Sequence, residues 1–474
     1  MASKADRTFE PERLRREIPH GAMEIIAEIA KAGGQTYLVG GCLRDLLLGR
    51  SPKDWDIATD LRPDQVKPLF RKVHEVGVAF GTLIVPWRGG AYEVTTLRTE
   101  GGYSDSRHPD EVAYTDQIGE DLKRRDFTIN AMAWNPRGDQ IEDPFNGARD
   151  LREQRIRAVG DPVRRFEEDA LRLMRAVRFA SQLEFDIEEE TWQAIKTLSE
   201  GLERISVERI RDELNLILLS NRPSRGLLLL QDAGLLRLVL PELEACRGVE
   251  QNRFHAHDVF MHSLYAIDAA PAGNLDVRLA ALLHDIAKPD TREERNGDYT
   301  FYAHQVVGAR KVGRILRRLR YPNDVRERVT HLVYHHMFYY EPHWTDSAVR
   351  RFARTVGLDD IPDLIQLRLA DMAGNKRKSS DTRPLQALLS RVDEVIAKDT
   401  ALSVKDLAIG GRELMELGLA EGPGIGRILR ALLEKVLDDP DVNTPEALLD
   451  EARALLESGY HLRPEPQSSE TPSE

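Results

Sequence analysis

The chain has 474 residues, 41% of them hydrophobic, with only two cysteines and a formal net charge of −12. This length calls for about three or four domains, and the apolar content for a globular protein rather than a fibrous or disordered one. Cys42 and Cys246 cannot build a disulfide framework, no apolar run approaches the roughly 20 residues of a membrane span, and the acidity argues against a chain that coats nucleic acid over its whole surface, without excluding local basic faces.

The opening stretch MASKADRTFEPERLRREI is charged, so no secretory leader is expected, and the sparse cysteines suit a reducing cytoplasm. Residues 21–35 read as a helix, GAMEIIAEIAKAGG, stopped by paired glycines. Short β-like runs follow: TYLVGG, DWDIAT, GTLIVPW, AYEVTTLR and TINAMAW. After EDPFNGARDLRE the strand signals fade, and from about residue 165 the chain reads as helix after helix. The Pro/Ser/Glu-rich end, LRPEPQSSETPSE, has the composition of a disordered tail. The expected fold is α+β, a mixed-sheet head of about 150 residues and an all-α body.

The head carries the first chemical signal. In LVGGCLRDLLLGRSPKDWDIATD, residues 38–60, Asp54 and Asp56 flank a tryptophan. If DWDIA is a strand, both carboxylates leave the same face, because side chains alternate. Two like charges on one face repel unless a cation lies between them, and carboxylate oxygens suit Mg²⁺, which completes its shell with water and substrate phosphate. Upstream, GGCLRD offers glycines, Gly41 among them, that let backbone approach a phosphate, and Arg44 as a charged fork for it. A lone D-x-D is by default a solvated surface strand. The Gly-Gly-x-x-Arg-Asp element ahead of it turns the reading to a metal–phosphate site.

This stretch resembles the nucleotidyltransferase motif of the DNA polymerase beta superfamily. More narrowly, it resembles the bacterial class of tRNA CCA-adding enzymes and their poly(A) polymerase relatives. EDLKRRDFTINAMAW (120–134), EDPFNGARDL (142–151), FEEDALRLMRAVRFA (166–180) and RISVERIRDEL (204–214) follow in that family's order and spacing. The resemblance covers residues from about 35 to 250 closely. It implies template-independent addition of C, C and A to the 3′ end of tRNA from CTP and ATP. Two metal ions would neutralise the leaving pyrophosphate and activate the primer hydroxyl. Asp54 and Asp56 are the expected Mg²⁺ ligands, with Glu93 in AYEVTTLR as a third catalytic acid or, alternatively, an edge-strand glutamate. Arg125, after Arg124, is expected at the triphosphate or ribose, with Asp126 orienting it or the sugar.

Choosing C and A over G and U has a physical solution. Cytosine and adenine each set an amino donor beside a bare ring nitrogen, and uracil and guanine reverse this. One carboxylate and one guanidinium held side by side therefore discriminate. Asp169 and Arg172 lie three apart on a predicted helix and share a face. The resemblance assigns them to the incoming base, and counts the following arginines as nucleotide-binding. Arg175 stays within reach of that face; Arg178 has turned half-way round and alternatively braces the helix or touches phosphate. The bland alternative is an amphipathic helix with a Glu168–Arg172 ion pair.

Poly(A) polymerases of this class usually carry a basic GRRF-like element. Here residues 74–98 read HEVGVAFGTLIVPWRGGAYEVTTLR, the form associated with CCA-adding members. The Gly-rich linker 99–116 reads as a mobile loop of the kind that class uses to switch from C to A. Poly(A) addition, or partial addition of CC or A, is the alternative.

In the body, FHAHDVFMHSL supplies His262, LAALLHDIAKPD His284 and Asp285, and LRLADMAG Asp371. This resembles the HD domain, a helical metal-dependent phosphohydrolase fold, and His304 and His336 match positions that bind a second metal in some members. Imidazole ligands favour a transition ion, Ni²⁺, Mn²⁺, Co²⁺ or Fe²⁺. The domain either hydrolyses a phosphate at an RNA end or is a metal-stapled scaffold. Six basic residues between Arg310 and Arg320, and GNKRKSSDTR near Asp371, mark where RNA phosphates could dock. The expected division is an extension (1–20), the head (21–155), a helical neck for nucleotide and RNA (156–248), the HD domain (249–375), a helical region (376–462) and the tail (463–474). A nucleotide-signalling phosphohydrolase with a regulatory head is the runner-up from another class, opposed by Asp54, Asp56, Arg125, Asp169 and Arg172 all being present.

Overall fold

The computed structural model describes residues 10–75, 81–101, 111–138, 141–252, 256–375, 381–397 and 401–462. The centre of the linker (102–110), the basic run 376–380 and the tail 463–474 lie outside them.

A mixed sheet organises the head. Its strands are β1 (Thr36–Val39), β2 (Asp56–Thr59), β3 (His74–Glu75), β4 (Thr82–Trp87), β5 (Gly90–Thr96), β8 (Ala133–Trp134) and β9 (Ile141–Glu142), in the order β3-β4-β5-β2-β1-β8-β9. Between β5 and β8, β6 (Arg98–Gly101) and β7 (Glu111–Tyr114) pair only with each other. Leu38, Ile57, Leu83, Val85 and Val94 turn their apolar side chains into the core, where helix α1 (His20–Lys31) adds Ile25, Ile26 and Ile29. The expected helix thus ends four residues early, because Gly33 turns left-handed at φ +88°.

Two expected strands are shorter than their apolar runs. TYLVGG stops at Val39, and Gly40 opens helix α2 (Gly40–Leu47). Gly40 has φ +68°, and a Cβ there would sit 2.9 Å from Arg125 Nη1. TINAMAW is a 3-10 turn at Thr128–Asn130 before the two residues of β8, because Asp126 Oδ1 accepts from the Phe127 amide (2.8 Å) and Asn130 Nδ2 (3.1 Å) and so holds a local turn.

The body is helical. The helices that matter below are α3 (Pro162–Glu168), α4 (Leu171–Leu183), α5 (Val207–Leu218), α6 (Val259–Ala269), α7 (Leu275–Leu283), α8 (His304–Arg318), α9 (Asn323–His335) and α10 (Ile361–Gly374). One apolar core runs from Leu14 to Val395 through head and body, while Ala401–Ala452 build a separate one. Among the described residues, no helix is long and apolar enough to cross a membrane.

Candidate active site

All eleven residues expected to catalyse or bind nucleotide in the head and neck line one cleft of about 1250 Å³. Parallel pairing of β2 with β5 sets Glu93 directly beside Asp56, so both carboxylates leave the same face of the sheet. Glu93 is not on an edge strand, since β5 lies between β4 and β2. Asp54 stands in the bend before β2 rather than within it, flanked by Trp55, whose carbonyl accepts the Glu93 amide at 3.1 Å. Burial raises the pKa of Asp56, with Arg125 opposing and Asp54 adding to the rise. Glu93 is raised by burial, then by Asp56 and Asp54. Carboxylates that raise one another's proton affinity are short of positive charge, and this all-oxygen donor set fits Mg²⁺.

The cations around them are held by acids. Arg44 donates to Asn130 Oδ1 (2.9 Å) and Asp45 Oδ1 (2.8 Å). Asp121, almost fully buried, binds Arg124 at 2.8 Å and Arg125 at 3.2 Å. Asp126 is engaged by Arg175 at 2.6 Å. Burial alone would raise the Asp126 pKa, but Arg175 and Asn130 hold it below the ordinary range.

Asp169 is not on a continuous helix with Arg172, as the spacing predicts. The helix breaks there, with Asp169 extended (φ −147°, ψ 104°) between α3 and α4, and its Oδ1 accepts the Leu171 amide at 3.0 Å. A short acceptor side chain caps the next helix better than it continues the last. Both residues still face the cleft. The Glu168–Arg172 ion pair is present at 2.5 Å, and Arg172 also donates to the carbonyls of Arg165 (2.8 Å) and Arg124 (3.2 Å). These bonds use three of five guanidinium N–H groups, leaving Nε–H and one Nη2–H for another acceptor.

Two further residues, Arg209 and Glu213, belong to this network although the sequence expectations did not include them. Arg209 donates to Asp169 Oδ2 at 2.8 Å. Glu213, one helical turn on in α5 and buried, faces Arg178 at 3.2 Å and Arg175 at 3.7 Å. Burial, reinforced by Arg175, lowers Arg178 to about 10, and its guanidinium lies 4.1 Å from the Phe179 ring centre, with Arg44 (5.1 Å) and Arg175 (5.5 Å) also around that ring. The i, i+4 spacing of Arg209 and Glu213 in RISVERIRDEL was a visible sign that both serve one face.

A second cluster lies in the body. The Nε2 atoms of His262 and His284 approach to 3.2 Å, His262 Nε2 lies 3.1 Å from Asp371 Oδ1, and His284 Nε2 lies 3.1 Å from Asp285 Oδ2. The other Asp285 oxygen is 3.3 Å from His304 Nε2, which is 3.3 Å from His336 Nε2. α6, the end of α7, the start of α8, the end of α9 and α10 each contribute, so all six expected ligands meet. The Nδ1 atoms of His284, His304 and His336 lie 2.9, 2.8 and 2.7 Å from the carbonyls of Ala281, Phe301 and Val333. Nδ1–H donation to those carbonyls leaves each Nε2 lone pair aimed at the centre, as metal-binding imidazoles require. His336 is pushed down to about 3 by burial and the neighbouring imidazoles, whereas Asp285 and Asp371 overcome burial to lift His284 to about 10. Lys288, unread from the sequence, is buried with Nζ 2.7 Å from Asp285 Oδ2.

The basic run of α8 is partly consumed: Lys311 pairs with Asp290 at 2.7 Å, Arg318 with Glu242 at 2.7 Å, and Arg320 with Glu208. Acids absent from the run's own sequence arrive from other elements.

Three family profiles match the chain. Residues 36–157 match the family profile of the poly A polymerase head domain, 184–247 that of the RNA and SrmB-binding site of polymerase A, and 299–452 that of tRNA nucleotidyltransferase domain 2. The CCA-adding enzyme of Lactobacillus helveticus is 55% identical over 192 residues, 40% of this chain and 48% of that protein. That of Lactobacillus delbrueckii subsp. bulgaricus is 35% identical over 433 residues, 90% of this chain and 96% of its own. The crystal structure of the Bacillus stearothermophilus CCA-adding enzyme in complex with CTP is 30% identical, superposes with a TM-score of 0.71, and covers 93% of this chain and 98% of that one. With three acids at the sheet's end facing a guanidinium-lined cleft and a relative 35% identical over nearly its whole length, the chain belongs to the CCA-adding enzyme family of nucleotidyltransferases.

Proposed function

We propose that this protein completes tRNA in the cytoplasm by adding C, C and A to the 3′ end from CTP and ATP, without a template. The observation that carries the reading is that Asp54, Asp56 and Glu93 share one cleft with Asp169 and Arg172. Asp54, Asp56 and Glu93 would hold two Mg²⁺ ions, which when bound would neutralise the pyrophosphate and lower the pKa of the primer hydroxyl. Arg44, Arg125 and the backbone at Gly41 bind the triphosphate. Asp126 holds Arg175 against the nucleotide, and Glu213 holds Arg178. Asp169 accepts from the exocyclic amine of C or A while the remaining N–H groups of Arg172 donate to the ring nitrogen. Uracil and guanine present a carbonyl to the carboxylate and an N–H to the guanidinium, so both contacts fail. The protein, tRNA lacking its 3′ end, Mg²⁺ and single nucleotides give the test: C and A should be added, G and U should not. Long poly(A) tails on unstructured RNA would overturn the reading in favour of a poly(A) polymerase.

A second reading rests on the convergent Nε2 atoms of the body. His262, His284 and Asp285 fit one transition ion, with Asp371 Oδ1 3.1 Å from His262 Nε2 as a fourth donor, and Asp285, His304 and His336 fit a second. Such ions would polarise a phosphate and supply a hydroxide at neutral pH. The substrate class is a phosphate blocking an RNA 3′ end: water oxygen bonds to phosphorus, the P–O bond to the ribose breaks, and the ribose oxygen takes the proton. The region 249–375 is then an HD domain that clears ends for the head to extend. Metal analysis and a phosphate-release assay test it. The double variant His284→Ala, Asp285→Ala should lose bound metal and phosphate release together. Bound metal without hydrolysis would leave a structural staple.

A further inference from the structure

We propose that Tyr302, Met337 and Tyr339 form a stacking surface for the unpaired terminal nucleotide of an RNA whose 3′ phosphate reaches the His–Asp cluster. The inference rests on the phosphohydrolase reading of that cluster and adds what the substrate must carry, an unpaired base.

Single exposed apolar side chains need no explanation. Their placement here does. Of ten large hydrophobic side chains exposed among the described residues, four lie within three residues of His304 or His336: Tyr334 (39%) and the more exposed Tyr302 (66%), Met337 (55%) and Tyr339 (71%). At about 3.8 Å per residue, no more than roughly 8 Å of chain separates Tyr302 from His304, and roughly 11 Å separates Tyr339 from His336. The two imidazoles are themselves 3.3 Å apart, so both segments run out from one cluster.

The segment after α9 is anchored, not loose. His336 and Tyr340 are buried, Phe338 is half-buried, and Met337 and Tyr339 between them are exposed. Phe338 packs on Phe352 with ring centres 5.3 Å apart, and Tyr340 on Trp344 at 5.3 Å. The inward residues therefore fix the outward pair in place. On the other segment, Phe301 gives its carbonyl to His304, and the Arg295 guanidinium lies 5.1 Å from the Tyr302 ring centre. Lys288 links this segment to the cluster, with Nζ 5.3 Å from the Phe301 ring centre and 2.7 Å from Asp285. Flat aromatic faces, one already carrying a guanidinium, beside a buried ammonium and a convergent imidazole set match a nucleotide. The base stacks on the rings and the phosphate meets the cations. Stacking is indifferent to base identity, which suits RNA ends of any sequence.

The test uses the full chain, first without metal. A short unpaired oligonucleotide ending in 4-thiouridine 3′-phosphate should, on irradiation, cross-link to peptides containing residues 299–302 or 337–339. Tyr302→Ala with Tyr339→Ala should weaken binding of a fluorescent oligonucleotide by roughly tenfold or more. Tyr302→Phe with Tyr339→Phe should keep it, since the rings remain. With Mn²⁺ supplied, the alanine pair should raise KM for the RNA phosphate while release from glycerol 2-phosphate, which has no base, stays unchanged. Unchanged oligonucleotide affinity in the alanine pair, or cross-links mapping elsewhere, would overturn the stacking surface. Cross-linking at these peptides without phosphate release from any substrate would sink the phosphohydrolase reading and leave the surface standing.

Discussion

The head cleft and the His–Asp cluster are both crowded with ionisable groups, yet they manage charge in opposite ways. Ten arginine and lysine side chains line the cleft against seven carboxylates, an excess of three positive charges (10 − 7) on a chain whose net charge is −12. The cleft is open, and its cations are prepaid by acids such as Asp121 and Glu213 that hold them in place. In the body, four imidazoles and Asp285 are buried with Asp371 beside them, and the two carboxylates raise His284 to about 10. A site for a polyanionic substrate presents fixed positive charge to solvent; a site that could take a cation turns ring nitrogen and carboxylate oxygen toward its own centre. The two are therefore separable experimentally.

The largest break should come from the acids of the sheet. Asp54→Ala or Asp56→Ala should lower nucleotide transfer by a factor on the order of a thousand or more, with the melting temperature almost unchanged, because both sit at a solvent-facing cleft. Wild-type turnover in either variant would undo the metal assignment. Arg172→Ala comes next: incorporation of C and A should fall by roughly 10- to 100-fold, more than triphosphate binding weakens, since a donor to the ring nitrogen is lost. Arg209→Ala sharpens the comparison, because Arg209 acts through Asp169. Discrimination against U should relax while triphosphate affinity holds, and Arg209→Lys should restore part of it; unaltered discrimination would make the 2.8 Å pair a mere brace. Glu213→Ala should cost about 1–3 kcal/mol of stability, read as a lower melting temperature, by leaving Arg178 without its buried carboxylate. The smallest effect is expected from crossing the two regions. His284→Ala with Asp285→Ala should leave transfer to a clean 3′-hydroxyl within about twofold, as distant sites add independently. Loss of transfer in that variant would mean that the two sites are coupled.

Much of this was written in local sequence. Paired glycines and D-x-D spacing named Asp54, Asp56, Gly41 and Arg44, which all line the cleft, because each signal depends on residues a few positions away; period-two alternation put Asp54 inside a strand that begins only at Asp56. Glu93 was legible only as one of two options. Strand order removes the edge-strand option: β5 is internal and parallel to β2, and pairing across 37 positions of chain leaves no trace in either segment. Asp169 shows the reverse failure. Helical spacing put it on one face with Arg172, but a carboxylate free to cap the Leu171 amide broke the helix there, and Arg209, 40 residues on, took its other oxygen.

The ligand types of the body and their order along the chain were set by sequence alone: His262, His284, Asp285, His304, His336 and Asp371 needed no fold to be named. That six side chains carried by five helical segments bring their Nε2 and Oδ atoms into two adjoining groups that share Asp285 was decided by packing, since a helix fixes only the direction in which a side chain leaves its own axis. The basic run of α8 makes the same point in charge. Sequence set six cations in eleven residues, and tertiary structure neutralised Lys311, Arg318 and Arg320 with Asp290, Glu242 and Glu208. Periodicity and turn chemistry are short-range and therefore readable along the chain, whereas charge pairing and ligand convergence depend on distances through space that only the packed core sets.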